Sequence, residues 1–187
     1  MNRPADVDAS AASAAPAAPA PLEATSEQVL DTLNRPLKNL RLSLIDKCNL
    51  RCLYCMPEEE YVWLPRQDFL SVDEIGRLIG IFADLGVDRV RLTGGEPLLR
   101  KDAAQIVARI SGEPRIRDIG MTSNGVLLVK HAEALAAAGL GRITISLDTL
   151  RRDRFAQLTQ RDRLEQVLEG IAAAARAGLK PLKINTV

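Results

Sequence analysis

From Leu37 onward, short runs of alternating hydrophobicity exchange regularly with longer runs of helical period, and this pattern constrains the fold more than any other feature of the chain. Extended segments are predicted at about 39–46, 88–93, 116–122, 141–147 and 180–187, and helices at about 71–85, 102–111, 129–138 and 163–177. The first helix opens on Ser71-Val72-Asp73-Glu74, a capping box, and stops at Gly86. The last is rich in alanine and ends at Gly178. Strict strand–helix alternation gives an α/β fold with a parallel sheet and right-handed crossovers.

Strands covered by helices on both faces read as continuous hydrophobic runs. These alternate instead. Leu40, Leu42 and Leu44 oppose Arg41 and Ser43; Val90 and Leu92 oppose Arg91 and Thr93. Ile119 and Met121 oppose Asp118, Gly120 and Thr122, while Ile143, Ile145 and Leu147 oppose Thr144 and Ser146. Leu182 and Ile184 oppose Lys183 and Asn185. Successive side chains point to opposite faces, so one face is apolar and the other polar and partly cationic. A polar concave face suits the interior of a barrel that holds small molecules. The alternative is a two-layer sheet with its polar side in water, which suits antiparallel sheets better. The fold class is therefore α/β, a partial (βα) barrel of about four βα units plus a fifth strand. It reads as truncated, because a complete barrel or half-barrel needs more units.

At 187 residues and 47% hydrophobic, the chain has the length and the apolar content for one ordinary core. Residues 1–35 are assigned to an Ala/Pro-rich tail, with 36–187 as the barrel domain. To about residue 28 the tail has almost no bulky apolar side chain, and burial cannot offset its ordering entropy, so it is predicted disordered. A formal net charge of +1 gives no bulk attraction to nucleic acid or to an acidic membrane. No apolar run is long enough to span a bilayer, and the N-terminus lacks the features of a secretory signal. The expected compartment is the cytoplasm.

The strongest chemical signal is Cys48-Asn-Leu-Arg-Cys52-Leu-Tyr-Cys55, a C-x3-C-x2-C run directly after the first strand. Three cysteines this close disfavour a disulfide framework and favour metal binding or reactivity. A cubane iron–sulfur cluster usually takes four thiolates. The chain has only three, which leaves one iron open to an outside ligand, the mark of a catalytic rather than a structural metal site. The competing reading is a Cys3His zinc site using His131, the only histidine, which is expected on a solvated helix surface far along the chain.

Three further motifs close successive strands: Gly94-Gly95-Glu96-Pro97, Thr122-Ser123-Asn124-Gly125 and Ser146-Leu147-Asp148. Each alone reads as turn or capping chemistry. Together they lie where barrel enzymes carry their sites. The basic run Arg151, Arg152, Arg154, Arg161 and Arg163, interleaved with acids, reads as a solvated helix face.

The cysteine run followed by Gly94-Gly95-Glu96-Pro97 resembles the radical S-adenosylmethionine (SAM) enzymes. The resemblance implies a [4Fe–4S] cluster on Cys48, Cys52 and Cys55, with SAM chelating the open iron and cleaved to a radical that abstracts a substrate hydrogen. The wording is closer still to the GTP 3′,8-cyclase family of molybdenum cofactor biosynthesis, lyases that convert GTP to (8S)-3′,8-cyclo-7,8-dihydroguanosine 5′-triphosphate. Leu40-Arg41-Leu42-Ser43-Leu44-Ile45-Asp46-Lys47, Cys55-Met56-Pro57, Val90-Arg91-Leu92-Thr93, Ile145-Ser146-Leu147-Asp148-Thr149 and Lys183-Ile184-Asn185-Thr186 carry it.

By that resemblance Tyr54, Gly95 and Ser146 contact SAM, with Glu96 beside them. Arg41, Arg91, Thr122 and Lys183 contact GTP. The cations also follow from chemistry, since a triphosphate needs several converging positive groups and Arg41, Arg91 and Lys183 share the polar face. The alternative for each is an internal ion pair with Asp118 or Asp148. The resemblance further implies a flavodoxin or ferredoxin as electron donor and cyclic pyranopterin monophosphate synthase downstream, and it leaves room for a homodimer. It also implies a second [4Fe–4S] cluster on three C-terminal cysteines, and this sequence has no cysteine after Cys55. SAM cleavage in these 187 residues is accordingly expected to run uncoupled from GTP cyclisation. Two readings stay open beside the cyclase: another radical SAM enzyme, such as a peptide maturase, and an inactive remnant.

Overall fold

A computed structural model describes residues 29–58 and 60–186 of the chain. The predicted disordered stretch to residue 28 lies outside the described residues. Residues 29–36 make a turn closed by a bridge between Leu30 and Pro36, with the Asp31 carboxylate accepting from the Leu33 and Arg35 amides.

Five parallel strands lie side by side in chain order: β1 (Asn39–Ser43), β2 (Arg89–Thr93), β3 (Asp118–Ser123), β4 (Arg142–Ser146) and β5 (Leu182–Asn185). Between them run α1 (Val72–Asp84), α2 (Ala103–Ser111), α3 (Leu128–Ala137), and the pair α4 (Arg152–Thr159) and α5 (Leu164–Arg176). This is the expected α/β partial barrel, four crossovers and a fifth strand. No helix among the described residues is long and apolar enough to cross a membrane.

Local chemistry explains the helix starts. Ser71 caps α1: its hydroxyl accepts from the Glu74 amide and the Glu74 carboxylate accepts from the Ser71 amide. Such a cap contributes about 1 kcal/mol. The apolar strand face, with Val90, Leu92, Met121, Ile143 and Ile145 almost fully buried, packs against Ile75 and Ile79 of α1, Ile106 and Ile110 of α2, and Val167 of α5 in one core.

Strand register then sets the polar face. Arg41 pairs with Arg91, Arg91 with Gly120, and Gly120 with Arg142, so three arginines and one glycine form a row across four strands. One step toward the C-terminal ends, Thr122, Thr144 and Lys183 form a second row. A side chain at residue 120 would place its Cβ 3.3 Å from Arg142 Cγ and 3.6 Å from Arg91 Cζ. Glycine there leaves both guanidinium groups room to lie over β3.

Candidate functional site

All the motif loops leave the C-terminal ends of the parallel strands, where (βα) folds place their chemistry. Residues 44–58, which follow β1, carry the three cysteines. This loop is held from two sides by backbone hydrogen bonds. Gly95 N donates to Ile45 O (2.7 Å) and Glu96 N to Lys47 O (2.8 Å). Arg51 N and Leu53 N donate to Thr159 O and Leu158 O, the last carbonyls of α4. A helix leaves such carbonyls without partners, and here the cysteine loop supplies them. The basic run around α4 is solvated as expected, with Arg151 and Arg152 in exposed pairs to Asp153 and Asp162. The docking of its C-terminus has no sequence signature.

Gly95 is where two backbones touch. A Cβ on it would stand 2.6 Å from Asp46 O and closer still to the Lys47 carbonyl. Arg100 reinforces the same corner, donating to Leu44 O (3.2 Å) and Leu70 O (2.5 Å) while paired with Asp102. From the far side Arg51 donates to Cys48 O (2.7 Å). Its guanidinium also lies 5.7 Å and 5.5 Å from the ring centroids of Tyr61 and Trp63, which stack on each other.

Glu96 is 1% exposed. Its Oε1 accepts from Ser123 Oγ (2.9 Å) and Leu98 N (3.1 Å), and its Oε2 from Asn124 N (2.8 Å). Burial pushes its pKa up while these three donors pull it down. Its partners are protein groups, and it ties the loop after β2 to the end of β3.

Tyr54 Oη donates to Asp148 Oδ2 (2.5 Å), joining the cysteine loop to the end of β4. Burial first, and then that carboxylate, raise the phenol's pKa. Tyr54, Asp148, Ser146, Cys52 and Asn124 line one small cavity of about 30 Å³.

Cys48 and Cys52 are half-buried and Cys55 is exposed, and all three are free thiols. Burial, followed by the charges of Cys48 and Cys55, pushes Cys52 up to about 11. The three sulfurs thus stand close enough to repel one another as thiolates. Among the described residues no three His, Cys, Asp or Glu side chains gather to hold a single metal ion. His131 is half-buried on α3, and burial lowers its pKa.

On the polar face Arg91 is half-buried, and Nη1 donates to Thr144 Oγ1 (3.1 Å). Burial first, then the charge of Arg142, lower its pKa; Asp118 opposes this and Arg41 adds to it. Asp118 is occupied by Arg142 through two contacts, one of 2.7 Å from Nε to Oδ1. Parity places Arg142 on the cationic face, but it was missing from the expected contacts. Arg41 and Lys183 are exposed there and Thr122 is half-buried.

The sequence matches the radical SAM superfamily over residues 42–187. The chain belongs to the radical SAM superfamily. It is 50% identical over 163 residues to "GTP 3′,8-cyclase 1" of Mycobacterium tuberculosis, covering 85% of this chain and 45% of that protein. It is 54% identical over 161 residues to "GTP 3′,8-cyclase" of Streptomyces coelicolor, covering 85% of this chain and 47% of the relative. The chain thus spans about half the length of these relatives. Among solved structures, HydG, "a maturase of the [FeFe]-hydrogenase", aligns at a TM-score of 0.66 with 17% identity, over 80% of this chain and 34% of that one, a likeness of fold.

Membership of the radical SAM superfamily implies a [4Fe–4S] cluster and SAM. The donor set fits the cluster. A cubane spreads its thiolates over separate irons, so its ligands need not converge on one point, and a cationic core relieves the repulsion that lifts Cys52. Loading the site releases protons, because the ligands bind as thiolates.

Proposed function

We propose that this chain carries the SAM-binding and GTP-binding half of a GTP 3′,8-cyclase, an enzyme of molybdenum cofactor biosynthesis. Cys48, Cys52 and Cys55 would hold the [4Fe–4S] cluster. Tyr54, Gly95 and Ser146 would contact SAM, with Glu96 beside them and also joining two loops of the site. When bound, the cluster and SAM supply a hydrogen-abstracting radical. The chain's own residues position and shield.

One observation carries the substrate side: the row of Arg41, Arg91 and Arg142, with Lys183 one step above, on the face below the cysteine loop. Among the described residues, Arg142 alone of these is paired with a carboxylate of the face itself, Asp118, and Arg91 bears the repulsion of its neighbours. A triphosphate supplies the missing negative charge and accepts forked hydrogen bonds from guanidinium groups. Thr122 would add a hydroxyl contact. Glycine at position 120 allows two guanidinium groups to reach one ligand.

Partners follow from the same reading: a low-potential donor such as flavodoxin or ferredoxin, and cyclic pyranopterin monophosphate synthase downstream, in the cytoplasm. The second cluster of the family has no ligands in this sequence. A peptide-modifying radical SAM enzyme would share the cysteine loop and have no need of the cationic row.

Arg41→Ala and Arg91→Ala are each expected to weaken GTP binding about tenfold or more, the loss of one charge-assisted contact. Anaerobic equilibrium dialysis reads this directly. Unchanged affinity in both variants would remove the cyclase assignment and leave the superfamily assignment standing.

A further inference from the structure

Asn124 follows the end of β3, and both ends of its side-chain carboxamide are assigned. Its amide donates to Glu96 Oε2 (2.8 Å) and its Oδ1 accepts from Val126 N (3.1 Å). Its Nδ2 donates to Asn49 Oδ1 (2.7 Å) and stands 3.7 Å from Cys48 Sγ as a second donor contact. These bonds fix which end of the carboxamide faces the cysteine, because a flipped amide would set donor against donor at Val126. Cys48 Sγ also accepts from Leu50 N at 3.5 Å. Leu50 N is backbone and survives substitution, whereas the Asn124 donor can be removed.

We propose that Asn124 is a positioning residue that tunes the reduction potential of the cluster by donating an N–H···S hydrogen bond to the Cys48 thiolate. The proposal rests on the reading that the three cysteines hold a [4Fe–4S] cluster. A one-electron reduction places added negative charge partly on the sulfurs, and no bond is made or broken. A donor aimed at sulfur stabilises the reduced state more than the oxidised one and raises the potential. Glu96 contributes by holding the Asn124 backbone, which explains why a carboxylate is buried at this corner.

The test is a potentiometric titration of the anaerobically reconstituted chain, without SAM, with a low-potential chemical reductant. The electron paramagnetic resonance (EPR) signal of the reduced cluster is followed, and iron and sulfide are assayed in parallel. Asn124→Ala is expected to shift the reduced-to-oxidised ratio at fixed potential about tenfold toward oxidised, about 59 mV more negative for a one-electron couple. Asn124→Asp keeps the acceptor for Val126 N, loses the donor and adds charge, so it is expected to fall further. Asn49→Ala frees Nδ2 for sulfur and is expected to leave the potential at or above that of the parent. An intact cluster with unchanged potential in Asn124→Ala, or in Asn124→Asp should the alanine variant take up no cluster, overturns the proposal. A parent chain that forms no cluster overturns the cysteine reading, and the proposal with it.

Discussion

Gly95→Ala is expected to destabilise the protein by about 3 kcal/mol, at the upper end of what overpacking one methyl group does. The added Cβ would stand 2.6 Å from Asp46 O and nearer to the Lys47 carbonyl, and both obstacles are backbone. A flexible side chain could swing aside, but here β1 and the cysteine loop would have to move together. That movement breaks the Gly95 N to Ile45 O and Glu96 N to Lys47 O hydrogen bonds and leaves their groups unpaired. Gly80→Ala is the control. Position 80 lies within α1 with no heavy atom within 4 Å of a new Cβ, and the change is expected to stabilise by about 0.5–1 kcal/mol through helix propensity. Urea denaturation of the two variants beside the parent checks both signs. Equal midpoints for Gly95→Ala and the parent would mean that the two loops are not packed as described.

Replacement of any one of Cys48, Cys52 and Cys55 by alanine is expected to remove the cluster almost completely while leaving the fold in place. Two thiolates leave two irons without protein ligands, whereas Cys48 and Cys52 only flank the core as partly buried neighbours. Burial destabilises the charged form of Cys52, so that thiol stays protonated at neutral pH until iron binds. Iron and acid-labile sulfide after anaerobic reconstitution measure the effect, with about four irons per chain in the parent and a small residue in each variant. Near-parental iron in a variant would mean that the ligands lie elsewhere. Far-ultraviolet circular dichroism is expected to remain unchanged.

Much of this architecture is legible in the sequence because each rule involved is local. Alternation separates Leu42, Leu92 and Ile145 from Arg41, Arg91 and Thr144 without knowledge of the partner strands. The capping box at Ser71 and the glycines at 86 and 178 mark helix ends. Positions that depend on register or on tertiary backbone contacts were not legible. Parity puts Asp118 on the same face as Arg41, Arg91 and Arg142, but only the pairing of Gly120 with Arg142 shows which arginine it takes. The docking of Arg51 N and Leu53 N on the end of α4 involves main-chain atoms alone and leaves no trace in side-chain identity. That Glu96 also anchors two loops is shown only by its burial among Ser123, Asn124 and Leu98. Asn124 was visible as part of a strand-end motif. Its contact with Cys48 depends on how the loops after β1 and β3 meet, a distance no sequence rule supplies.

In the proposed centre the cysteine loop matters most where it would leave one iron unclaimed by protein. The most direct measurement is the EPR spectrum of the reduced cluster in anaerobically reconstituted chain, recorded with and without SAM. Added SAM is expected to change the g-values of the signal, as coordination of the open iron by an amino and carboxylate group requires. A fully loaded cluster whose spectrum is identical with and without saturating SAM would contradict a SAM-cleaving centre on Cys48, Cys52 and Cys55.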